Sequence, residues 1–167
     1  YDKQLDEFFA EQFDVTHFHN VSAVGGPGIL SRGSGIRLYT AHEHWLVCPT
    51  HILWRFDREL CDSRKCFRCQ LSYRRPPQIW RHTGFLERKA NSIDAFIALS
   101  RSSADNHQRF GFGREMSVLP SFIPDLERAS VRESIRSKPF VLFAGRLEKL
   151  KGLQDVIPAI AKQSSFD

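Results

Sequence analysis

Apolar residues in this chain alternate between two spacings. Short compact runs at residues 14–18, 36–41, 95–99, 116–119 and 140–144 predict strands, and Phe140 to Ala144 is the unbroken kind that a strand buried on both faces shows. Between these runs the spacing becomes helical. Leu5, Phe8, Phe9 and Phe13 predict an amphipathic helix over 4–13, and residues 79–90 predict a second one. Ser100 is placed to N-cap a third helix ending at Gly111, and Leu153, Val156, Ile157 and Ile160 mark a last one. Strands alternating with helices predict an α/β fold around a parallel sheet. Residues 20–35, rich in Gly and Ser, read as a flexible loop.

The pattern also predicts a division of the chain. Residues 121–138, with Pro120 and Pro124 flanking Ser121-Phe122-Ile123 and then seven charges over 125–138, read as a linker. That leaves 1–120 as one sheet domain and 139–167 as the first strand and helix of a second, too little to stand alone. A chain of 167 residues could bury one good core, so this split reads as an internal fragment of a larger protein. No repeat, secretory signal or run of about 18 apolar residues is present.

The candidate chemistry begins where the last strand ends. Gly145-Arg146-Leu147 is followed by Lys151-Gly152-Leu153 and then the helical spacing, a strand, basic loop and helix start in succession. Backbone N–H groups, the helix dipole and two cationic side chains favour an anion at such a junction. Arg146 can fork onto phosphate oxygens, with Lys151 as a mobile point charge.

Gly145-Arg146-Leu147 with Lys151-Gly152-Leu153 resembles the donor-binding loop of the family 4 retaining glycosyltransferases. Further likenesses follow in that family's order and cover nearly the whole chain. Phe13 to Asn20 is similar to its "DVxHxHN" strand end, and Ile36 to Pro49 to its "TxHDxWxxCP" strand and loop. Ser92 to Arg101 resembles "ADAxIAxS", and Val118 to Pro124 resembles "VIPNGxD". The chain departs at Ser121-Phe122, in place of Asn-Gly, and at Glu43, in place of Asp, so the roles of those positions are not carried over.

The resemblance implies a GT-B architecture: an incomplete Rossmann-like domain on the acceptor side, then the start of a second Rossmann-like domain that holds the nucleotide-sugar. It implies a UDP- or GDP-sugar donor gripped by Gly145, Arg146, Lys151 and Gly152, and a glycan, lipid-linked or small-molecule acceptor. His42 matches the histidine beside the transferred sugar, and His42, Arg146 and Lys151 are the candidate catalytic residues. Of the other histidines at strand ends, His19 is a weaker candidate, while His17 and His44 read as structural. The protein itself would meet the phosphate charge, so no catalytic divalent metal is expected.

Cysteine spacing adds a separate expectation. Cys48, Cys61, Cys66 and Cys69 form C-x12-C-x4-C-x2-C, and the last pair has the spacing that lets two thiolates reach one tetrahedral metal. A structural zinc, an iron–sulfur cluster, or free thiols all fit that spacing, with disulfides disfavoured in a reducing cytosol. Some members of the resembled family carry a similar cluster.

The net charge of +5 is concentrated in residues 55–89, with ten Lys or Arg against four Asp or Glu, interleaved with Phe56, Phe67, Tyr73, Trp80 and Phe85. That face reads either as merely solvated or as a contact for anionic lipid or a lipid-diphosphate acceptor, the latter on a cytoplasmic protein peripheral to the inner membrane face. A zinc-stabilised basic module binding nucleic acid or anionic membrane without catalysis is the competing class. The Arg146 loop and His42 count against it, since a binding module needs neither.

Overall fold

The computed structural model describes residues 3–124 and 140–163. It is an α/β protein that divides into two compact units, residues 1–122 and 123–167. No helix among the described residues is long and apolar enough to cross a membrane.

The first unit runs α1 (Lys3–Ala10), β1 (Val15–His19), β2 (Ile36–Ala41), β3 (Trp54–Arg55), β4 (Glu59–Leu60), α2 (Cys66–Ser72), α3 (Phe85–Ala90), β5 (Ala95–Ala98), α4 (Arg101–Arg109) and β6 (Met116–Val118). Strands β1, β2, β5 and β6 form one parallel sheet in the order β1-β2-β5-β6, compatible with a Rossmann-like fold. Strands β3 and β4 make a separate antiparallel hairpin. Its turn places Phe56 and Asp57 in the left-handed region, the twist a tight hairpin demands, without a glycine to ease it.

The core lies against the sheet. Phe18, Tyr39, Ala41 and Phe96 from the strands pack with Trp45, Leu46, Leu86, Ala90 and Ile93. Ser100 caps α4 as its sequence position predicts, its hydroxyl accepting from Ser103 N–H at 3.1 Å.

Three expectations are corrected. Residues 20–35 are a packed connection rather than a flexible loop: two 3-10 turns, Val21–Ala23 and Pro27–Ser31, bury Val21, Pro27, Ile29 and Leu30. Apolar side chains among the glycines decide the outcome, because Ile29 and Leu30 join the core beside Leu86 and Ala90. The expected helix over 79–90 is broken into a 3-10 turn, Ile79–His82, and α3, because Gly84 between them takes a left-handed φ of 67°. The run 140–144 forms no strand. Phe140, Val141, Leu142 and Phe143 are exposed and belong to neither sheet among the described residues, so the burial on both faces that such a strand needs is missing.

The second unit therefore contributes one labelled element, α5 (Leu153–Ile160), preceded by a 3-10 turn at Lys149–Lys151. Most of the expected linker, 125–138, lies outside the described residues, and Ser121 to Pro124 are exposed without regular structure.

One glycine fixes where the sheet begins. Gly35, with φ of 63°, passes so close to the Phe13 and Asp14 carbonyls that a Cβ there would collide with backbone, and the next residue, Ile36, donates its N–H to Asp14 O at 2.9 Å. Gly35→Ala is expected to lower the unfolding free energy by more than about 1 kcal/mol, because both φ and space oppose a side chain. Urea unfolding of the two proteins checks this, and equal midpoints would refute it.

Candidate functional site

Parallel pairing brings the C-terminal ends of β1 and β2 side by side, with His19 opposite Thr40. The two-residue period of β1 puts His17 and His19 on one face. His17 Nε2 lies 2.8 Å from Thr40 Oγ1, and His19 Nδ1 lies 2.8 Å from His42 Nε2, so one imidazole of the latter pair donates and the other accepts. The three rings form a row, with centroids 4.1 Å apart for His17 and His19 and 5.1 Å for His19 and His42. All three residues are exposed. His19 is held below the ordinary histidine value, first by burial of its ring and then by neighbouring His17 and His42. At this sheet edge the row can exchange protons with, or hydrogen-bond, a hydroxyl-bearing ligand.

Beside the row, Glu43 organises the connection. Ser22 Oγ donates to Glu43 Oε1 at 2.8 Å, and His51 Nδ1 lies 3.2 Å from the same oxygen. The carboxylate thus ties the turn after β1 to the turn after β2. Burial nevertheless outweighs Glu43 and keeps His51 below its usual value, with Arg75 and Arg81 adding to the effect.

His44 turns the other way, into the protein. Its ring stacks on that of His107 with centroids 5.1 Å apart, and Nε2 of each is buried without a partner. His107 Nδ1 faces the Ser103 carbonyl at 2.8 Å. Burial pushes both residues below the ordinary histidine value, His107 further lowering His44 while Glu43 opposes.

The basic loop belongs to the second unit. Arg146 Nη1 pairs with Glu148 Oε1 at 2.9 Å, and the arginine side chain is largely exposed. The turn Lys149–Lys151 leads into Gly152, whose left-handed φ of 72° swings the chain into α5. No side chain caps the start of α5, and Asp155 N–H and Val156 N–H donate to the Gly152 carbonyl at 3.0 and 3.1 Å. Gly145 abuts the Phe143 ring.

The four cysteines are all unbridged. They border one cavity of about 10 Å³ together with Thr50, Trp54, Arg55, Ser63 and Lys65, room for a single small ion. As placed, no three His, Cys, Asp or Glu side chains among the described residues converge on one ion position. A larger hollow, lined by Arg101, Asp105, Gln108, Glu115 and Met116, holds none of the histidines or cysteines.

Two cations of the basic stretch are drawn inward. Arg55 is buried and bonds Glu59 Oε1 through Nη2 at 2.9 Å, Ser63 Oγ at 2.7 Å, and Asp62. Arg81 lies over Trp80 at 4.4 Å and Trp45 at 5.6 Å. Sequence spacing gave no signal for these roles or for Glu43, whose partners Ser22 and His51 meet it only through folding.

The stacked pair generates a pH prediction. A histidine depressed in the folded state takes up protons first in the unfolded chain, so its contribution to stability is complete above about pH 6.5 and is lost as pH falls below that value. The thermal midpoint should drop between about pH 7.5 and about pH 5.5, and drop less in His44→Phe and His107→Phe. Parallel pH profiles for all three proteins would show that this pair does not carry the effect.

No protein-family model matches the chain, and no curated protein or solved structure matches it.

Proposed function

We propose that this chain contributes the acceptor-side Rossmann-like domain and the donor loop of a retaining glycosyltransferase of GT-B type. The observation that carries the reading is the Gly145 to Leu153 segment, in which Arg146, Lys151 and the uncapped start of α5 lie on one short stretch around the left-handed Gly152. That combination suits a diphosphate: a forked cation, a point charge and free amides. The His19–His42 pair at the C-terminal edge of a parallel sheet supports an acceptor and sugar site on the other domain. The motif likenesses along the chain give both segments their assignment.

In this reading a UDP- or GDP-sugar is bound through its diphosphate by Arg146 and Lys151. As the glycosidic bond breaks, both electrons leave with the diphosphate, and the growing charge is met by those cations and the α5 amides. An acceptor hydroxyl attacks the anomeric carbon from the same face and gives its proton to the departing phosphate oxygen. His42 hydrogen-bonds a sugar hydroxyl and steadies positive charge at the anomeric carbon. His19 fixes the orientation of His42. The Arg146–Glu148 pair must open or share its donors when phosphate enters.

The test is kinetic, on the full enzyme that carries these residues. Arg146→Ala and Lys151→Ala are expected to lower turnover by about two to three orders of magnitude, or roughly 3–4 kcal/mol, more than they weaken binding of the nucleoside diphosphate. Arg146→Lys should be nearly as damaging as Arg146→Ala, since a point charge does not reproduce a two-pronged contact. His42→Ala should impair transfer and leave nucleoside-diphosphate affinity nearly unchanged. Normal turnover in the loop variants with collapsed nucleotide binding in His42→Ala would reverse the two assignments.

A further inference from the structure

We propose that Cys48, Cys61, Cys66 and Cys69 bind one zinc ion as a tetrathiolate, and that Arg81 is the counter-charge of that site. The thiols come from three separated pieces of chain: the turn beyond β2, the residue after β4, and the first turn of α2. They border one cavity, too small for a polynuclear cluster. Two thiols are turned to weak neighbours, Cys48 to Thr50 Oγ1 at 3.3 Å and Cys61 to the Ser63 carbonyl at 3.5 Å. Phe56 N–H already donates to Cys69 Sγ at 3.5 Å, a contact of more use to a thiolate than to a thiol.

Arg81 supplies the independent observation. Its Nε donates to Gln78 Oε1 at 2.6 Å and its Nη1 reaches the Leu46 carbonyl at 3.5 Å, but Nη2 is buried with no partner. No carboxylate forms an ion pair with it among the described residues. Arg81 and Cys66 line one hollow together with Leu46, Val47 and Leu86. An always-charged side chain in such a place needs an anion. Four thiols in their neutral form supply none. Bound to Zn²⁺ they give up their protons to solvent and form a centre of net charge about −2, which answers the orphaned cation. The same centre ties together a hairpin and a seven-residue helix beside a small apolar cluster of Val47, Cys48, Leu53 and Phe110, against which Cys61 and Phe112 pack.

The experiment titrates Zn²⁺ into the reduced, metal-free chain against a chromophoric chelator, with Co²⁺ in a parallel cell as a spectroscopic probe. One zinc per chain is expected, with the cobalt spectrum of tetrahedral sulfur coordination. Cys48→Ser and Cys66→Ser should lose most of the affinity. Arg81→Met should weaken zinc binding about 10- to 100-fold, the scale of an outer-shell loss, while Arg81→Lys keeps most of it. A folded, reduced wild-type chain that binds neither ion overturns the proposal, independent of whether any variant folds. Retention of iron in place of zinc overturns the choice of metal, and unchanged zinc affinity in Arg81→Met overturns the pairing with Arg81.

Discussion

The parallel pairing of β2 with β1 on one side and β5 on the other is the constraint on which the rest of the first unit depends. Its register sets Val15 against Ile36 and His19 against Thr40, and continues with Leu38 against Ala95. A one-residue slip would turn Tyr39 and Phe96 from the core toward the opposite face and carry His17 and His19 away from Thr40 and His42. Core packing and the histidine row are therefore two readings of one register. Gly35 holds it at the N-terminal end, where only a residue without a side chain clears the Asp14 carbonyl. Phe18, buried among the core residues, holds it from below.

Polar burial is the second constraint, and it falls on the connections. Arg55, Gln70, Arg81 and His107 each bring hydrogen-bonding groups into the interior. Gln70 is fully answered, donating to the Cys66 carbonyl at 3.1 Å and accepting from Gln78 N–H at 2.7 Å. Arg55 is answered by two carboxylates and a hydroxyl. Arg81, His44 and His107 keep orphaned atoms. Such atoms are costly in a low-dielectric interior; His44 lies in the 42–51 connection with Arg81 and His107 against it, and Arg37 on β2 and Trp54 on β3 keep orphaned nitrogens as well.

Much of the scaffold was legible from the chain because it rests on local rules. The apolar runs locate β1, β2, β5 and β6, and Ser100 announces its helix by a cap that needs no distant partner. The errors occur where distant contacts overrule local composition. Glycine and serine in 20–35 suggested mobility, yet two apolar side chains, Ile29 and Leu30, were enough to bury the segment. Phe140 to Phe143 have strand chemistry but no neighbouring strand among the described residues, and strand formation is a property of a pair. At the candidate site, His42 and the cysteines were visible as residue types at telling spacings. The His19–His42 contact, the Glu43 bridge and the packing of Arg81 against the rings of Trp80 and Trp45 were not, since each joins residues brought close only by the sheet and its connections.

The cysteine cavity and the histidine row are linked by a single short connection. Between His42 and Cys48 the chain is locked by its own backbone: His44 N–H donates to the His51 carbonyl at 2.9 Å, Cys48 N–H to the His44 carbonyl at 2.7 Å, and His51 N–H to the Cys48 carbonyl at 3.1 Å. Trp45 and Leu46 within it are buried in the main core. A force that fixes Cys48 therefore fixes His44 and His51 through three hydrogen bonds, and His51 fixes Glu43 through its carboxylate. Glu43 is adjacent to His42 and also holds Ser22, close after His19 in the chain. With a metal at the cysteines, the precision of the sheet-edge row would be set from both sides, by strand register beneath it and by the thiolate knot beyond it. Glu43→Gln keeps the shape of that link but weakens its pairing with His51, so it should loosen the His19–His42 contact more than it lowers overall stability. Histidine NMR line widths compared with unfolding midpoints measure the two effects separately, and equal line widths in both proteins would show that the row is held by the sheet alone.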